Sequence, residues 1–280
     1  MAWRDIPMIW TGSHWSLKLA LADPGFFEAK AYWRDSAGRQ VWPEGGNVGY
    51  SVHPNQCRSA NILYCAFPRL FGPYRDLAKS PDHGALPGVA QLDQAGYAVI
   101  PPSGKLRDLI QVLPHIFETL GCRILHLLPV NPTPTTYARM GRYGSPYACG
   151  DLTAIDPALV DFDKRTTGVE QFEELTLEVH RAGGQVFLDI VINHTGWGAT
   201  LQEEHPEWFC RKENGEFLSP GAWGNIWADL VELDTGHRSL WDEMADAFLV
   251  WLRRGVDGFR CDAGYMIPPP VWRYIVAKVR

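Results

Sequence analysis

Positive charge is in short supply in this sequence. Across 280 residues, 26 Lys and Arg stand against 32 Asp and Glu, a formal net charge of −6. Nucleic acid and anionic membrane surfaces call for a basic face, so neither is expected as a partner. No run reaches 18 apolar residues, which excludes a membrane-spanning helix of ordinary kind. The opening Met1-Ala2-Trp3-Arg4-Asp5-Ile6-Pro7 lacks the apolar stretch of a secretory signal peptide. Cys57, Cys65, Cys122, Cys149, Cys210 and Cys261 form no CxxC pair and lie mostly inside apolar strings. That pattern fits reduced, buried thiols in a cytoplasmic protein better than a disulfide framework or a zinc site. Acidic residues also run out: none follows Asp262.

What is abundant is aromatic: 12 Trp, 10 Tyr and 12 Phe, in a chain otherwise ordinary at 46% hydrophobic and 21% charged residues. Aromatic rings fill cores and also stack on sugar faces, so the load alone is only suggestive. The length suits two domains or one large one. Residues 14–22 and 27–35 alternate apolar and polar positions, and 59–68 is a third candidate strand. With the turn clusters Asp23-Pro24-Gly25 and Ser36-Ala37-Gly38 between them, they predict an all-β sandwich domain within 1–100. Trp33 and Trp42 are candidate sugar platforms there, although packing is the plainer use for each. Residues 76–104, rich in Pro, Gly and Ala, read as a linker or long loop.

From about residue 101 the pattern changes to alternating helices and apolar strands. Helical spacing covers 106–121, with Pro114 a predicted kink, and recurs over 169–184, 239–255 and 269–280. Residues 123–130 read as the first strand of a parallel sheet. Gln185–Asn193 is apolar for most of its length, as a strand covered on both faces must be. It leads into Asn193-His194 at the strand end. The stretch Val256–Ala263 is another short strand, and it places Arg260 and Asp262 on one face, since side chains alternate with period 2. A guanidinium that close orients a carboxylate and favours its charged form, as a carboxylate nucleophile requires. Buried Arg–Asp pairs also serve purely structural ends. Residues 144–157 supply a third polar and aromatic strand end. Polar groups gathered at strand ends between helices predict a (β/α)8 TIM barrel with its site at the C-terminal rim.

These segments carry a resemblance. The sequence LDIVINH at 188–194, followed about 65 residues later by GFRCDA at 258–263, resembles glycoside hydrolase family 13, the α-amylase family. PYACGDLTAIDP at 146–157 and ADLVELD at 228–234 are similar to two further motifs of that family, in the same order. The resemblance covers roughly 105–280. It implies an α/β fold, an incomplete barrel of about the first four βα units over 101–280, with a domain B-like insertion at 195–236. A β-sandwich ahead of the barrel is common in the family. The activity implied is that of a retaining glycoside hydrolase or transglycosidase acting on an α-linked glucan.

By position in the motifs, Asp262 matches the nucleophile and Arg260 the arginine that orients it. His194 matches a histidine that hydrogen-bonds the sugar at the cleavage subsite, and Tyr147 the tyrosine that stacks on it. Asp189 points inward from mid-strand and is expected to brace Arg260 or the pocket floor. Asp151 and Asp156 read as turn aspartates with local backbone bonds, and Cys261 as packing. Asn193 matches a residue that binds calcium in many relatives, but calcium needs six to eight oxygen ligands and one Asn supplies little of that set. No cofactor is otherwise implied. Two departures put calcium and the common endo-amylase specificity in doubt: Tyr265-Met266 replaces Lys-His after the nucleophile motif, and Ser145 replaces a His ahead of Tyr147. The family's acid/base glutamate follows the next strand, and this sequence has no candidate there. A complete barrel takes about 250 residues, so an N-terminal part of a longer enzyme, inactive alone, is expected. The alternative is a non-catalytic carbohydrate-binding or subunit-interaction remnant. An unrelated metal-dependent barrel hydrolase is a poorer fit, because only one His lies at these strand ends.

Overall fold

The computed structural model describes residues 3–53, 62–75, 89–95, 102–134, 138, 140, 141 and 143–280. Its contacts divide the chain into two units, Met1–Asn61 and Ile62–Arg280. The boundary expected near residue 100 therefore moves to residue 61. Cys57 and most of the predicted linker lie outside the described residues; a short helix, Val89–Gln94, falls within that stretch.

Among its described residues the first unit holds six strands: β1 (Ile9–Trp10), β2 (Trp15–Ser16), β3 (Gly25–Ala29), β4 (Trp33–Arg34), β5 (Gln40–Val41) and β6 (Val48–Val52). They pair antiparallel as β1–β2, β3–β6 and β4–β5. The antiparallel character follows the alternation in the sequence, but the strands are shorter than that alternation predicts. Leu17, Leu19 and Leu21 have no strand partner and stay exposed. No described residue of 3–53 is buried. The two packed layers of a sandwich are therefore not present among the described residues, since a sandwich exists by burying its inner faces.

The second unit is built on a four-stranded parallel sheet. Its strands are β7 (Leu63–Ala66), β8 (Ile124–Leu127), β9 (Gln185–Val191) and β14 (Gly258–Asp262), in the order β14-β9-β8-β7. The candidate strand at 59–68 thus belongs to this sheet, and 123–130 supplies its second strand rather than its first. The reason is visible in Ile62-Leu63-Tyr64-Cys65-Ala66-Phe67, a continuous apolar run with none of the alternation of a half-exposed antiparallel strand. Residues 144–157 form turns and no strand. Asp151 Oδ1 accepts from the backbone N–H groups of Thr153 and Ala154, at 2.8 and 2.9 Å, and that local bonding competes with a ladder.

One face of the sheet packs on helices. Leu125, Leu127, Val186, Leu188 and Ile190 are buried there, beneath the helices Gly168–Arg181, Arg238–Arg253 and Pro269–Val279. Trp251 is fully buried, meets Phe172 edge-on at 5.1 Å and donates its indole N–H to Leu152 O at 2.8 Å. A capping box of Thr167 and Glu170 starts the helix at Gly168. The predicted 106–121 helix is broken as Pro114 requires: Leu106–Ile110 is α-helical and His115–Thr119 forms one wide π turn. No helix among the described residues is long and apolar enough to cross a membrane.

Between β9 and β14 the chain folds back on itself. β10 (His194–Gly196) pairs antiparallel with β13 (Leu230–Glu232), with His194 opposite Glu232. A small hairpin of β11 (Gly221–Ala222) and β12 (Asn225–Ile226) projects between them. This excursion spans the 195–236 insertion read from the sequence.

Candidate active site

The other face of the sheet carries polar groups. In the β14–β9 register, Arg260 stands beside Asp189 and Asp262 beside Val191. Alternation turns Arg260, Asp262 and Asp189 to one side, while Cys261 on the opposite face packs against the core. Arg260 Nη1 donates to Asp262 Oδ1 at 2.6 Å and to both oxygens of Asp189, at 3.0 and 3.1 Å. Asp189 is 1% exposed, and a charge so placed demands partners. It has them in Arg260 and in the Tyr147 hydroxyl, which donates at 3.3 Å; His126 Nε2 lies 3.6 Å away and makes no hydrogen bond among the described residues. Burial alone would lower the Arg260 guanidinium, but Asp189 and Asp262 outweigh it and raise it above its ordinary value. Burial, and then Asp189, push the Tyr147 phenol up to about 12, so it stays a neutral donor.

Tyr147, His194 and Asp262 line one cavity of about 390 Å³, together with Ser145, Trp227 and Asp229. His194 arrives there on β10, 1% exposed, with Asn193 Nδ2 3.3 Å from its Nδ1. Its Nε2 is buried without a hydrogen-bond partner. Burial pushes the imidazole down to about 4, with a smaller opposing effect from the Tyr147 backbone, so the ring is neutral at pH 7. A neutral, buried ring nitrogen on a cavity wall is left with unused hydrogen-bonding capacity. Of the turn aspartates, Asp151 makes its local backbone bonds and also accepts from Thr200 Oγ1 at 3.3 Å. Asp156 also forms a buried ion pair with Arg69, joining the 144–157 loop to the segment after β7.

A second cleft of about 640 Å³ also borders Asp262. It shares Asp262 and Trp227 with the first cavity and is lined further by Trp223, Tyr265 and Trp272 and by the strand-end stretch Arg260–Gly264. Sequence reasoning did not single out Trp223, Trp227 or Asp229, although all lie in the aromatic insertion or the 228–234 motif. Tyr265 stood out only as a departure from the Lys-His pattern.

Asn193, where the family motif implies a calcium ligand, supplies one amide oxygen of the six to eight oxygens calcium takes. The Asn193 amide is turned to His194. Among the described residues, no three His, Cys, Asp or Glu side chains gather as metal ligands would. The five described cysteines are free. Burial pushes the Cys149 thiol up to about 12 and the Cys210 and Cys261 thiols to about 11, which leaves them unreactive at neutral pH.

Comparison with known proteins agrees with this geometry. The family described as alpha amylase, catalytic domain, matches residues 75–273. An alpha-1,4-glucan:maltose-1-phosphate maltosyltransferase of Pseudomonas aeruginosa is 30% identical over 194 residues, covering 63% of this chain and 28% of the relative. One from Myxococcus xanthus is 27% identical over 251 residues, covering 85% of this chain and 36% of the relative. The chain thus spans well under half the length of either. Among solved structures, an alpha-amylase from Lactobacillus plantarum matches at TM-score 0.61 and 30% identity, over 78% of this chain and 42% of its own. A maltogenic alpha-amylase from Thermotoga neapolitana matches at TM-score 0.59 and 25% identity, over 78% and 43%. The four-stranded parallel sheet, the Arg260–Asp262 pair at its rim and the extent of the family match place the chain in the alpha-amylase family, glycoside hydrolase family 13.

Proposed function

We propose that this protein acts on an α-linked glucan through a retaining double displacement in which Asp262 is the nucleophile. The observation that carries the reading is the convergence of Asp262, Tyr147 and His194 on one cavity, with Arg260 bound to Asp262 at 2.6 Å. In such a reaction a carboxylate oxygen attacks the anomeric carbon and the glycosidic oxygen leaves, giving a covalent glycosyl-enzyme. Arg260 fixes the Asp262 carboxylate against rotation, and Asp189 in turn fixes Arg260. Tyr147 offers a ring for the sugar face, and the free Nε2 of His194 is placed to bond a sugar hydroxyl. These residues do not move the proton the leaving oxygen needs.

Water or a sugar hydroxyl then resolves the intermediate, giving hydrolysis or transfer. The relatives bearing a maltosyltransferase name and the structures titled alpha-amylase support one chemistry with either outcome. The free cysteines are in keeping with a cytoplasmic setting.

A glycosyl fluoride tests the nucleophile without relying on the acid, because fluoride departs with little proton help. Incubation with 5-fluoro-α-glucosyl fluoride, followed by peptide mass mapping, is expected to add one glycosyl group to the Asp262 peptide. Asp262→Asn should cut labelling by about 10⁴-fold, the scale seen when a nucleophile is removed. A label on a different carboxylate would defeat the reading. Glucan binding without any label would instead favour the non-catalytic carbohydrate-binding alternative.

A further inference from the structure

Two buried side-chain nitrogens lack a hydrogen-bond partner among the described residues, His194 Nε2 and His126 Nε2. The first lines the cavity that holds Asp262. The second has no part in the chemistry proposed above, and a buried polar atom left over calls for a reason. His126 stands on β8, where parallel pairing sets it beside Cys65 on β7 and Phe187 on β9. Neighbours across a parallel sheet share a face, and Asp189 follows Phe187 by two residues, so His126 and Asp189 lie on the same polar face. Nε2 of His126 is 3.6 Å from Asp189 Oδ2, with the two side chains 12% and 2% exposed. That separation is too long for a hydrogen bond. Shelter from water nevertheless strengthens the electrostatic contact across it.

What Asp189 does for the nucleophile makes its exact placement matter. Arg260 reaches both carboxylates through a single nitrogen, Nη1, which lies 2.6 Å from Asp262 Oδ1 and 3.0 and 3.1 Å from the two Asp189 oxygens. That nitrogen carries two hydrogens. Asp262 takes one, and the oxygens of Asp189 share the other. A turn of the Asp189 carboxylate that let each oxygen take a hydrogen would leave Asp262 free to rotate. The Tyr147 hydroxyl bonds Oδ2 at 3.3 Å, and His126 Nε2 faces the same oxygen. A proton on that nitrogen attracts Oδ2, whereas a bare lone pair repels it.

We infer that His126 is a positioning residue for the nucleophile: with its proton on Nε2, it holds the Asp189 carboxylate so that Arg260 keeps one Nη1 hydrogen for Asp262. The role rests on Asp262 being the nucleophile. His126 lines neither of the two cavities, so it acts through Asp189 and Arg260 and not on the sugar.

Long-range 1H–15N spectra of the 280-residue chain at neutral pH read the proton directly, with the His126 signals assigned by their loss in His126→Gln. A protonated Nε2 is expected, and a proton on Nδ1 alone overturns the inference. The rate of Asp262 labelling by 5-fluoro-α-glucosyl fluoride reads the consequence. In His126→Leu, which fills similar space without a donor, the maximal rate should fall about tenfold while the half-saturating concentration holds. The amide nitrogen of His126→Gln stands in for Nε2 and should restore the rate to within about twofold of wild type. An unchanged maximal rate in His126→Leu, or an equal loss in His126→Gln, overturns the inference. Lower urea midpoints in both variants with the maximal rate intact overturn it too, by showing a packing role. If the wild type takes no label on Asp262, the nucleophile reading fails by itself. The Nε2 proton then decides alone whether His126 holds Asp189, as it does if His126→Leu does not fold.

Discussion

Asp189 and His194 are both 1% exposed, and they meet burial in opposite ways. Asp189 keeps its charge satisfied through Arg260 and Tyr147. His194 lacks a partner at Nε2, and burial lowers its affinity for a proton. The stability consequence has a definite sign. An unfolded chain takes up this proton near pH 6.5, whereas the folded chain waits until about 4. The stability that neutral His194 contributes is therefore complete above pH 6.5 and is lost as pH falls toward 4. At 1.36 kcal/mol per unit, the loss over that window is about 3 kcal/mol. Urea unfolding from pH 7 to pH 4 should show wild type losing that much more than His194→Asn; parallel curves would refute it. The sequence made the alternating Arg260 and Asp262 legible, along with inward Asp189, because a period of 2 fixes faces without knowledge of neighbours. It left Trp227 and Asp229 hidden, since an irregular insertion has no period from which to read a face.

At the level of elements, β14 owes its position to the way the preceding helix stops. Helix Arg238–Arg253 ends through Gly255 at φ +93°, with Val256 N–H returning to Trp251 O at 3.1 Å. Thr176 Oγ1 donates to Arg254 O at 2.9 Å and would lie 2.5 Å from any Cβ on Gly255. Asp257 Oδ2 then accepts from Val186 N–H at 2.8 Å, which sets the strand against β9. Gly255→Ala should cost about 2 kcal/mol from the left-handed backbone alone, read as a lower urea midpoint. If the midpoint is unchanged, this stop does not hold β14 in place. The helices were legible from their spacing and Gly stops, because a capping box and a left-handed glycine are local chemistry. The 144–157 segment was misread as a strand end because polar and aromatic residues mark loops and strand ends alike. Asp151 bonding its own backbone decided between them.

Across the whole molecule, the boundary between the units is the point where sequence and structure part most clearly. Composition put it near residue 100, whereas the contacts put it at residue 61, with Leu63–Ala66 paired to β8. Removing residues 1–61 should therefore leave the cooperative unfolding of the remainder in place, since no described residue of 3–53 is buried. Removing residues 1–100 takes β7 from the sheet and leaves one side of β8 unpaired, so the urea midpoint should fall. Equal midpoints for the two truncations would restore the later boundary. The sequence by itself determined the family, the parallel strands that carry Asp189 and Asp262, and the helices behind them. Those depend on short-range periodicity and on motifs that survive without their surroundings. Tertiary structure alone decided that an apolar run at 62–67 joins the parallel sheet, that Tyr147 reaches Asp189 across 42 residues of sequence, and that Trp223 meets Tyr265 beside the nucleophile. Each is a contact between distant segments, and the pattern along one segment does not record which other segment will cover it.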